Sequence, residues 1–503
     1  MVIVYHQNNK VTEIDYHGAS KSFVQKNIAR VLFEVAADYP DSLIIWCHVK
    51  LKSNLNFEIF DKVFHHHKIM ASYSPGEKSF LSDAIGYVED SPFLKINKKV
   101  TYPTWLMSNA VGGVHASVLN ILKDEIKKDQ NFDYFLQSLA KQGMPIGLFC
   151  YSEPKLLKDS SKIIQNKTSN SFFLFRFVKQ HYKTRWIFLL FLNLFLYERK
   201  ILLGPLFLSL FYSKRKFPKK ILDEIQVTST NKTVEKGTID IIIPTIGRKQ
   251  FLYDVLRDLS VQTHLPKNVI IIEQNPNQES ISELDYLYNE SWPFKIKHTF
   301  TRQAGACNAR NLAFAEVESE WGFLSDDDIR FGSDLIQKVL EKASLYGVNS
   351  LTTSCLQKNQ TLKYDMIHQS GIFGSGNSFL KADFLKVVSF NKSLEFGYGE
   401  DTDFGLQLRN LGVDIIYFPE LSILHLKAPI GGFRNKFISS WEVEGDSPKP
   451  SPNIMYVKSK YSTIQQLLGY KTVLFFKFYK GNLFDIPIFN DRWQLSVKWS
   501  KRI

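Results

Sequence analysis

The sequence predicts an α/β protein: a Rossmann-like mixed sheet flanked by helices, with an N-terminal α/β lobe and a basic, aromatic helical linker before it. Three observations predict this class. A strand, a helix and a second strand follow one another closely after residue 237, acidic clusters stand at the ends of predicted elements, and one short window holds most of the net positive charge. Strands that alternate with helices are typical of sheets with parallel strands.

Length and composition fit a globular protein of several domains. The chain has 503 residues, of which 44% are hydrophobic and 14% aromatic, and its formal net charge is +13. This composition is too apolar for a disordered chain, and the length predicts two to four domains. The four cysteines are widely spaced and form no CxxC pair, which disfavours a disulfide scaffold and a zinc ribbon.

The pattern of a βαβ unit begins at residue 239. Ile239–Ile243 is a β-branched run typical of a buried parallel strand, and apolar residues then recur at helical spacing from Phe251 to Leu259. Asn268–Glu273 is a second buried strand. Ligands of such sheets lie beyond the carboxyl ends of the strands, which here are Pro244–Arg248 and Glu273–Pro276.

Three adjacent carboxylates, Asp326–Asp328, follow the predicted strand Trp321–Leu324. Their mutual repulsion is costly unless a cation or a hydrogen-bonding ligand compensates it, and Mg²⁺ or Mn²⁺ carrying a diphosphate is such a cation. A solvated acidic turn is the alternative. His425, after the predicted strand Val413–Phe418, is a candidate neutral ligand, although a single histidine is more often structural.

A second acidic cluster lies in residues 396–412 (FGYGEDTDFGLQLRNLG), which predict a helix that Asp401 caps and Gly412 ends. A helix N-terminus favours an ionised carboxylate, as a general base requires. Capping explains one acid, but it does not explain Glu400, Asp401 and Asp403 together.

Taken together and in order, these blocks resemble family 2 glycosyltransferases of the GT-A fold over residues 237–435. The blocks are PTIGR after the first strand, GxxxARN at 305–311, FLSDDD, Gly376-Asn377 and GEDTDFGLQLRNLG. Each block alone is weak, and the ordered set is specific. The resemblance implies a nucleotide-sugar donor, with UDP-sugars first among the candidates, and an acceptor hydroxyl.

The resemblance also implies roles for individual residues. Asp401 is expected to be the general base and Glu400 an acceptor contact, while Asp328 and His425 are expected to bind Mn²⁺ or Mg²⁺. The donor-binding residues implied are Pro244, Thr245, Arg248, Glu273, Arg310, Asp326, Asp327 and Lys427.

One part of this assignment departs from the family pattern, and another has a second explanation. Glu273 stands where the family usually has an aspartate that reads the base, and Glu273–Pro276 replaces the usual Asp-Asp-Gly-Ser, which leaves the base and the sugar open. Lys427 and Arg434 are candidate clamps for a leaving diphosphate, and a solvated basic loop explains them equally well.

The first 165 residues are predicted to be an α/β lobe that resembles a degenerate copy of the same domain. Trp46-Cys47-His48 aligns with Asp326–Asp328, and Asn131-Phe132 aligns with Glu400-Asp401. Every catalytic acid is missing in this alignment, so we expect no second active site. Acceptor binding, partner binding, a structural role and an unrelated α/β domain all stay open.

Residues 166–225 are predicted to be a linker that associates with membranes. The window 172–220 holds eleven Lys and Arg and one acid, a net +10. Its apolar runs, Trp186–Tyr197 and Ile201–Tyr212, are too short to cross a hydrocarbon core of about 30 Å, and their basic, aromatic ends suit an anionic membrane surface. A buried helical hairpin is the alternative. Nucleic-acid binding is disfavoured because the aromatic and basic residues are not interleaved.

The catalytic domain is predicted at 226–440 and a C-terminal helical tail at 441–503. The tail could be a second membrane contact. The triplet His65–His67 suggests a metal site, but without an acidic or cysteine partner nearby a surface loop is the better prediction.

As a whole, the sequence predicts an inverting, metal-dependent hexosyltransferase that extends a lipid-linked or glycan acceptor in surface polysaccharide biosynthesis. Because no secretory signal is recognisable, we expect it in the cytoplasm, peripheral on the inner face of the cell membrane. The alternative is a non-catalytic scaffold that binds a nucleotide-sugar or glycan. A nucleotidyltransferase is disfavoured because Pro244–Gln250 contains a single glycine.

Overall fold

The computed structural model describes residues 1–16, 19–22, 26–76, 79–159, 168–429 and 438–503. The chain forms two compact units: unit 1 is Met1–Asn231 with Ser462–Lys480, and unit 2 is Lys232–Tyr461 with Gly481–Ile503. This division differs from the four predicted segments, because the predicted linker 166–225 is part of unit 1 and the predicted tail contributes to both units.

The strands lie in two sheets, one in each unit. In chain order they are β1 (Val2–Gln7), β2 (Lys10–Tyr16), β3 (Ala19–Ser22), β4 (Leu43–His48), β5 (Ile69–Tyr73), β6 (Tyr102–Pro103), β7 (Val111–His115), β8 (Phe149–Ser152), β9 (Ile239–Thr245), β10 (Asn268–Gln274), β11 (Lys295–Thr301), β12 (Trp321–Ser325), β13 (Ile329–Phe331), β14 (Ser350–Gln357), β15 (His368–Gln369), β16 (Asn377–Lys381) and β17 (Ile416–His425).

Helices connect these strands and flank the sheets. They are α1 (Ile28–Asp38), α2 (Phe60–Val63), α3 (Ala116–Leu122), α4 (Phe132–Gly143), α5 (Ser171–His181), α6 (Arg185–Glu198), α7 (Leu203–Ser209), α8 (Lys249–Ser260), α9 (Tyr286–Asn289), α10 (Ala306–Phe314), α11 (Leu335–Tyr346), α12 (Ala382–Leu385), α13 (Glu400–Asn410), α14 (Ser440–Val443), α15 (Pro452–Tyr461), α16 (Ile464–Tyr479) and α17 (Ile486–Ser500).

The sheet of unit 2 has the order β11-β10-β9-β12-β16-β14-β17-β13, with β15 paired to β17. Strands β11, β10, β9 and β12 are parallel to one another, and β16 is antiparallel to both of its neighbours. All seven residues of the central strand β9 are buried, and five of them are apolar (Ile239, Ile241, Ile242, Ile243 and Pro244). The predicted class, a mixed sheet flanked by helices, is confirmed, as is the βαβ unit β9-α8-β10.

Asp240 ties three segments of this sheet together from inside the core. Its carboxylate is fully buried and accepts hydrogen bonds from the Asn268 amide and side chain, from the Glu318 amide, and from the amide and hydroxyl of Ser319. A buried charge is tolerated only when it is satisfied in this way. The bonds hold the start of β10 and the segment before β12 against β9, and so align the strand ends at the opposite edge.

The sheet of unit 1 has the order β3-β2-β1-β4-β7-β5-β8-β6. Strands β1, β4, β7, β5 and β8 repeat the order and directions of β9, β12, β16, β14 and β17. In each sheet a two-residue antiparallel strand pairs with the last strand of this series: β6 pairs with β8 in unit 1, and β15 pairs with β17 in unit 2. In place of the parallel strands β10 and β11, unit 1 has the antiparallel hairpin β2-β3. The two units therefore share a core topology and differ at the edge where β10 and β11 lie in unit 2.

The strand registers correct the predicted alignment of the two units. Val111 and Asn377 are the first residues of the corresponding strands β7 and β16. Val111 pairs with Cys47 and Asn377 pairs with Ser325, so the next residues, His48 and Asp326, correspond to each other. His48 therefore does not correspond to Asp328. The alignment made from the sequence was displaced by two residues. The triplet of acids thus corresponds to residues 48–50, whose sequence is His-Val-Lys.

The predicted linker is helical and packs within unit 1 through α5, α6 and α7. One face of α6 is buried through Ile187, Leu190, Asn193 and Leu194, while apolar side chains on its other face and on α7 are exposed. Eight of the eleven basic residues in the window 172–220 are exposed, but Arg176 and Arg215 both pair with the buried carboxylate of Asp129. Among the described residues, no helix is long and apolar enough to span a bilayer.

The histidine triplet is not a solvated surface loop as a whole, contrary to the prediction. His66 is buried, His65 Nδ1 lies 2.8 Å from the Ser229 hydroxyl, and the ring of His67 stacks on that of His115. Burial lowers the pKa of His65 to about 4. In the part of the chain that the structure describes, no group of three or more His, Cys, Asp and Glu side chains is arranged to hold a metal ion.

Candidate active site

A cavity of about 420 Å³ opens in unit 2 where β9, β10 and β12 end. Its position agrees with the general rule for ligands of such sheets. Ten of the twelve residues predicted for the site line it, namely Pro244, Thr245, Arg248, Arg310, Asp326, Asp327, Asp328, Glu400, Asp401 and His425. Segments separated by as many as 181 positions in the sequence (244 to 425) thus meet around one space.

Asp327 links the end of β9 to the end of β12. Its buried carboxylate accepts hydrogen bonds from Thr245 Oγ1 at 2.7 Å and from Arg248 Nη1 at 2.6 Å. Burial raises the pKa of Asp327 to about 6 even though Arg248 and Thr245 favour the ionised form. Since its oxygens are taken by these partners, Asp327 holds Arg248 in the cavity wall.

Asp326 is the most accessible member of the acidic triplet. Its side chain is 36% exposed, and Oδ1 accepts a hydrogen bond from Arg310 Nη2 at 2.7 Å, which brings α10 to the end of β12. A Cβ at Gly376 would lie 2.2 Å from Asp326 Oδ2, so any larger residue before β16 would displace this carboxylate. Asp326 therefore presents a carboxylate to the cavity from a fixed position.

Asp328 and His425 face each other because their segments pair. Residue 329 pairs with His425 between β13 and β17, and His425 Nε2 lies 3.4 Å from Asp328 Oδ1. Burial would raise the pKa of Asp328, but the hydrogen bonds from His425 and the Ala428 amide, with the charge of Arg248, hold it below its ordinary value. The same bond raises the pKa of His425. His425 is the last residue of β17, whereas the sequence predicted that the strand would end at Phe418.

The donor set at this point fits a divalent metal ion that is shared with a phosphate ligand. Asp328 Oδ2 is occupied by the Ala428 amide at 2.9 Å, while Oδ1 lies 3.4 Å from the imidazole of His425, and both residues line the cavity. No third metal ligand joins them among the described residues. Mg²⁺ sites of phosphate-binding enzymes commonly use one or two protein ligands and complete the shell with phosphate oxygens and water.

Glu400 and Asp401 form the first turn of α13 and face the cavity. Gly399, with a φ of +115°, precedes the helix, so Asp401 is not the capping residue that the sequence predicted. The expected effect of the helix N-terminus is also wrong in direction, because burial raises the pKa of both groups. Burial and the charge of Asp401 raise the pKa of Glu400 to about 7. Asp401 Oδ1 accepts a hydrogen bond from the Ser375 amide at 3.2 Å.

Asp403, the third acid of this cluster, has a structural role. Its buried carboxylate accepts hydrogen bonds of 2.8 Å from Lys460 Nζ and from the hydroxyl of Tyr461, both on α15. It does not line the cavity.

The structure adds Glu395 and Gln274 to the cavity wall, and neither was predicted. The Glu395 carboxylate accepts hydrogen bonds of 3.0 Å from the amides of Cys307 and Asn308 and so caps α10 across 88 positions of sequence. Gln274 Oε1 accepts a hydrogen bond from the Gly305 amide at 2.6 Å. Gly305, at a φ of +146°, leaves no room for a Cβ beside Glu395. Only the glycine before a predicted helix hinted at this close approach.

Two predicted residues do not line the cavity. The Glu273 carboxylate accepts hydrogen bonds from His298 and from the Glu283 amide, on the opposite face of β10 from Gln274. Lys427 is exposed, with a φ of +59°. Arg434 lies outside the described residues.

Comparison with known proteins assigns this region to a family. Residues 240–392 match the family model for glycosyl transferase family 2. The match lies within unit 2 and identifies residues 240–392 as a family 2 glycosyltransferase segment. The matched segment contains the acidic triplet, Arg248 and Arg310, but ends before Glu400, Asp401 and His425.

A protein of Rickettsia conorii described as an uncharacterized glycosyltransferase is 27% identical to the chain over 163 residues. The match covers 32% of this chain and spans about a quarter (26%) of the relative. Among solved structures, residues 1–349 of S. aureus TarS with UDP-GlcNAc are similar at 15% identity and a TM-score of 0.38, covering 52% of this chain and 81% of that one. TarS residues 1–349 with UDP give 15% identity and a TM-score of 0.35, covering 50% and 75%.

The raised pKa of Glu400 predicts a stability effect that depends on pH. An acid whose pKa rises on folding weakens the fold above that pKa, and the penalty disappears as pH falls from about 7 towards the value of the unfolded chain. Glu400→Gln is therefore expected to stabilise the protein by about 1–2 kcal/mol at pH 8.5, an increase in Tm of a few degrees, and to stabilise it less at pH 5.5.

Thermal unfolding at the two pH values measures this difference. Glu279→Gln, at an exposed position of the same unit, is the matched control and should leave Tm unchanged at both. An equal shift for Glu400→Gln at pH 5.5 and 8.5 would contradict the assigned titration.

Proposed function

We propose that the chain transfers a sugar from a nucleotide-sugar donor to a hydroxyl of a lipid-linked or glycan acceptor, with inversion of the anomeric configuration. The observation that supports this most is the meeting of two arginines, the acidic triplet and the Glu400-Asp401 pair around one cavity at the strand ends. A substrate diphosphate and an acceptor hydroxyl need opposite kinds of groups, and this cavity offers both.

In this proposal the arginines interact with the donor diphosphate. Arg248 is fixed by Asp327 and Arg310 by Asp326, so both guanidinium groups are positioned before the ligand arrives. Cations held in advance stabilise the charge that develops on a leaving diphosphate at little reorganisation cost. The accessible carboxylate of Asp326 accepts a hydrogen bond from a ribose or sugar hydroxyl, and Pro244 and Thr245 border the nucleoside.

Asp401 acts as the general base. It removes the proton of the acceptor hydroxyl while that oxygen attacks the anomeric carbon from the face opposite the leaving group. A base is most effective when its pKa lies near the working pH, and burial together with the charge of Asp326 raises the pKa of Asp401 above its ordinary value. Glu400, beside it, contacts the acceptor.

Asp328 and His425 are the residues that would hold a divalent ion. When bound, such an ion supplies positive charge to the diphosphate oxygens. Asp328 also orients His425 through their contact. Arg248 lies 3.3 Å from Asp328 Oδ2, so the arginine is adjacent to the proposed ion site.

Asp401→Asn tests the proposal. This variant should lose about 10²- to 10⁴-fold in turnover because the base is absent, while its affinity for the donor stays close to wild type. The measurement is nucleoside diphosphate release from a panel of UDP-, GDP- and dTDP-sugars with Mn²⁺ and an extract of lipid-linked saccharides. Donor affinity is measured separately by calorimetry.

Asp383→Asn, an exposed acid of the same unit, is the matched control and should turn over normally. If Asp401→Asn released diphosphate as fast as wild type, the role of the base would be wrong. Nucleotide-sugar binding without release from any donor would favour the scaffold function.

We also propose that unit 1 holds the enzyme on the inner face of an anionic membrane, where a lipid-linked acceptor of surface polysaccharide assembly would be available. The support is a patch of exposed apolar side chains on α6, on α7 and directly after α7, with exposed cations beside it. Phe211 is 87% exposed, and Phe188, Phe195, Ile201 and Phe207 are exposed as well. Each nearby Lys or Arg adds about 1 kcal/mol of attraction to an anionic leaflet.

Co-sedimentation with phosphatidylglycerol vesicles tests this surface. The full chain should sediment with anionic vesicles at low salt and less with neutral ones, and Phe207→Ser/Phe211→Ser should bind at least fivefold less. Phe57→Ser, at a side chain that is 50% exposed on a different segment of unit 1, is the control and should bind like wild type. Absence of sedimentation with anionic vesicles at any salt concentration would contradict the proposal.

A further inference from the structure

Unit 1 contains a cavity of its own, of about 340 Å³. It lies where β5 and β8 end, and its lining includes Ser72, Tyr73, Ser108, Asp133, Gln137 and Ser152. The volume is within the range of small-molecule sites. The proposed transfer reaction makes no use of this space.

Asp133 in this cavity corresponds to Asp401 of the catalytic one. Each aspartate is the second residue of the helix before the last shared strand, α4 in unit 1 and α13 in unit 2. Asp133 Oδ1 accepts a hydrogen bond from the Asn109 backbone amide and Oδ2 accepts one from the Asn109 side chain, while Asp401 Oδ1 accepts one from the Ser375 backbone amide. Both amides belong to the residue two positions before the corresponding strand, β7 or β16. The expectation that unit 1 lacks every catalytic acid is therefore wrong at this position.

The chemistry of the unit 1 cavity does not suit a nucleoside diphosphate. The acidic triplet is replaced by His-Val-Lys at 48–50, so the carboxylates that would accompany a metal ion are missing. Among the described residues that line the cavity, the charged side chains are Asp83, Asp133 and Lys98. With two acids and one base, the lining does not favour an anion.

The polar lining suits hydroxyl groups. Serines and tyrosines supply both donors and acceptors, while Phe80 and Phe93 provide apolar walls, which is the combination that the polar and apolar faces of a sugar ring require. Gln137 is 1% exposed, its Nε2 donates to the Met107 carbonyl at 3.2 Å, and its Oε1 has no hydrogen-bond partner among the described residues. A buried acceptor without a donor is costly, and because Gln137 is only 1% exposed, a ligand hydroxyl would reach Oε1 once the lining shifts locally.

We infer that this cavity is a second ligand site, which binds an uncharged saccharide through Gln137, Asp133 and the surrounding hydroxyls. The site needs no group of the catalytic cavity, because its polar contacts come from unit 1 alone. It gives the N-terminal lobe a binding role that does not depend on the transfer reaction in unit 2.

Saturation-transfer NMR on the full chain tests this site. The probes are the methyl glycosides of glucose, galactose, mannose, rhamnose and N-acetylglucosamine, with glucose 1-phosphate as the anionic comparison. We expect at least one neutral glycoside to give a signal. Gln137→Met, which removes the acceptor at nearly constant volume, should weaken its binding about tenfold.

A second variant and a control in the other unit locate the signal. Leu106→Trp adds bulk to the lining from a half-buried position and should abolish binding even if Gln137→Met folds poorly, which the Tm of each variant reports. Asp401→Asn should retain the signal. A signal that survives both unit 1 variants, a preference for glucose 1-phosphate, or no signal with any neutral glycoside, as expected of a cavity filled only by water, would overturn the inference.

Discussion

The crowding of acidic side chains around one cavity is the constraint on which the chemistry of unit 2 depends. Six carboxylates line it among the described residues, against two arginines and one histidine. Charges of one sign in a partly buried space repel one another strongly, so each needs its own compensation. The structure provides it in different ways: an arginine for Asp326 and Asp327, a histidine and an amide for Asp328, helix amides for Glu395, and a raised pKa for Glu400 and Asp401.

This compensation also determines which ligand the cavity can accept. A diphosphate entering a wall with more acids than bases is repelled unless a cation comes with it. In our proposal Asp328 and His425 receive this cation, since one oxygen of Asp328 is already fixed by the Ala428 amide and the other faces the imidazole. The arginines alone do not restore neutrality, since each is paired with an acid of the triplet.

The two units show how one topology can carry different chemistry. They share the strand order around β4 and β12, and each places an aspartate at the same point of the same helix. They differ where charge is concentrated: unit 2 has the acidic triplet after β12, and unit 1 has His-Val-Lys after β4. Unit 1 therefore lacks the acids to which we assign the metal and the diphosphate, while it has a cavity around Asp133.

Local patterns predicted the helices and strands of unit 2 well. The features that depend on contacts between distant segments could not be predicted from them. The strand from Ile239 and the helix that follows it were readable because burial imposes a period on the sequence. The cap that Glu395 provides to α10 could not be predicted, because no local pattern indicates a contact between residues 88 positions apart. The side to which Glu273 points depends on strand register, and the correspondence of Asp133 with Asp401 appears only once the strands are paired.

The most direct test of the account is the affinity of the wild-type chain for UDP, GDP and dTDP, measured by calorimetry with Mn²⁺ and with EDTA. If an excess of acids governs the cavity, at least one diphosphate should bind ten times more tightly with Mn²⁺, a difference of about 1.4 kcal/mol. Asp328→Asn should remove most of that difference. Equal affinity with Mn²⁺ and with EDTA would contradict the account, because the arginines would then suffice to balance the wall.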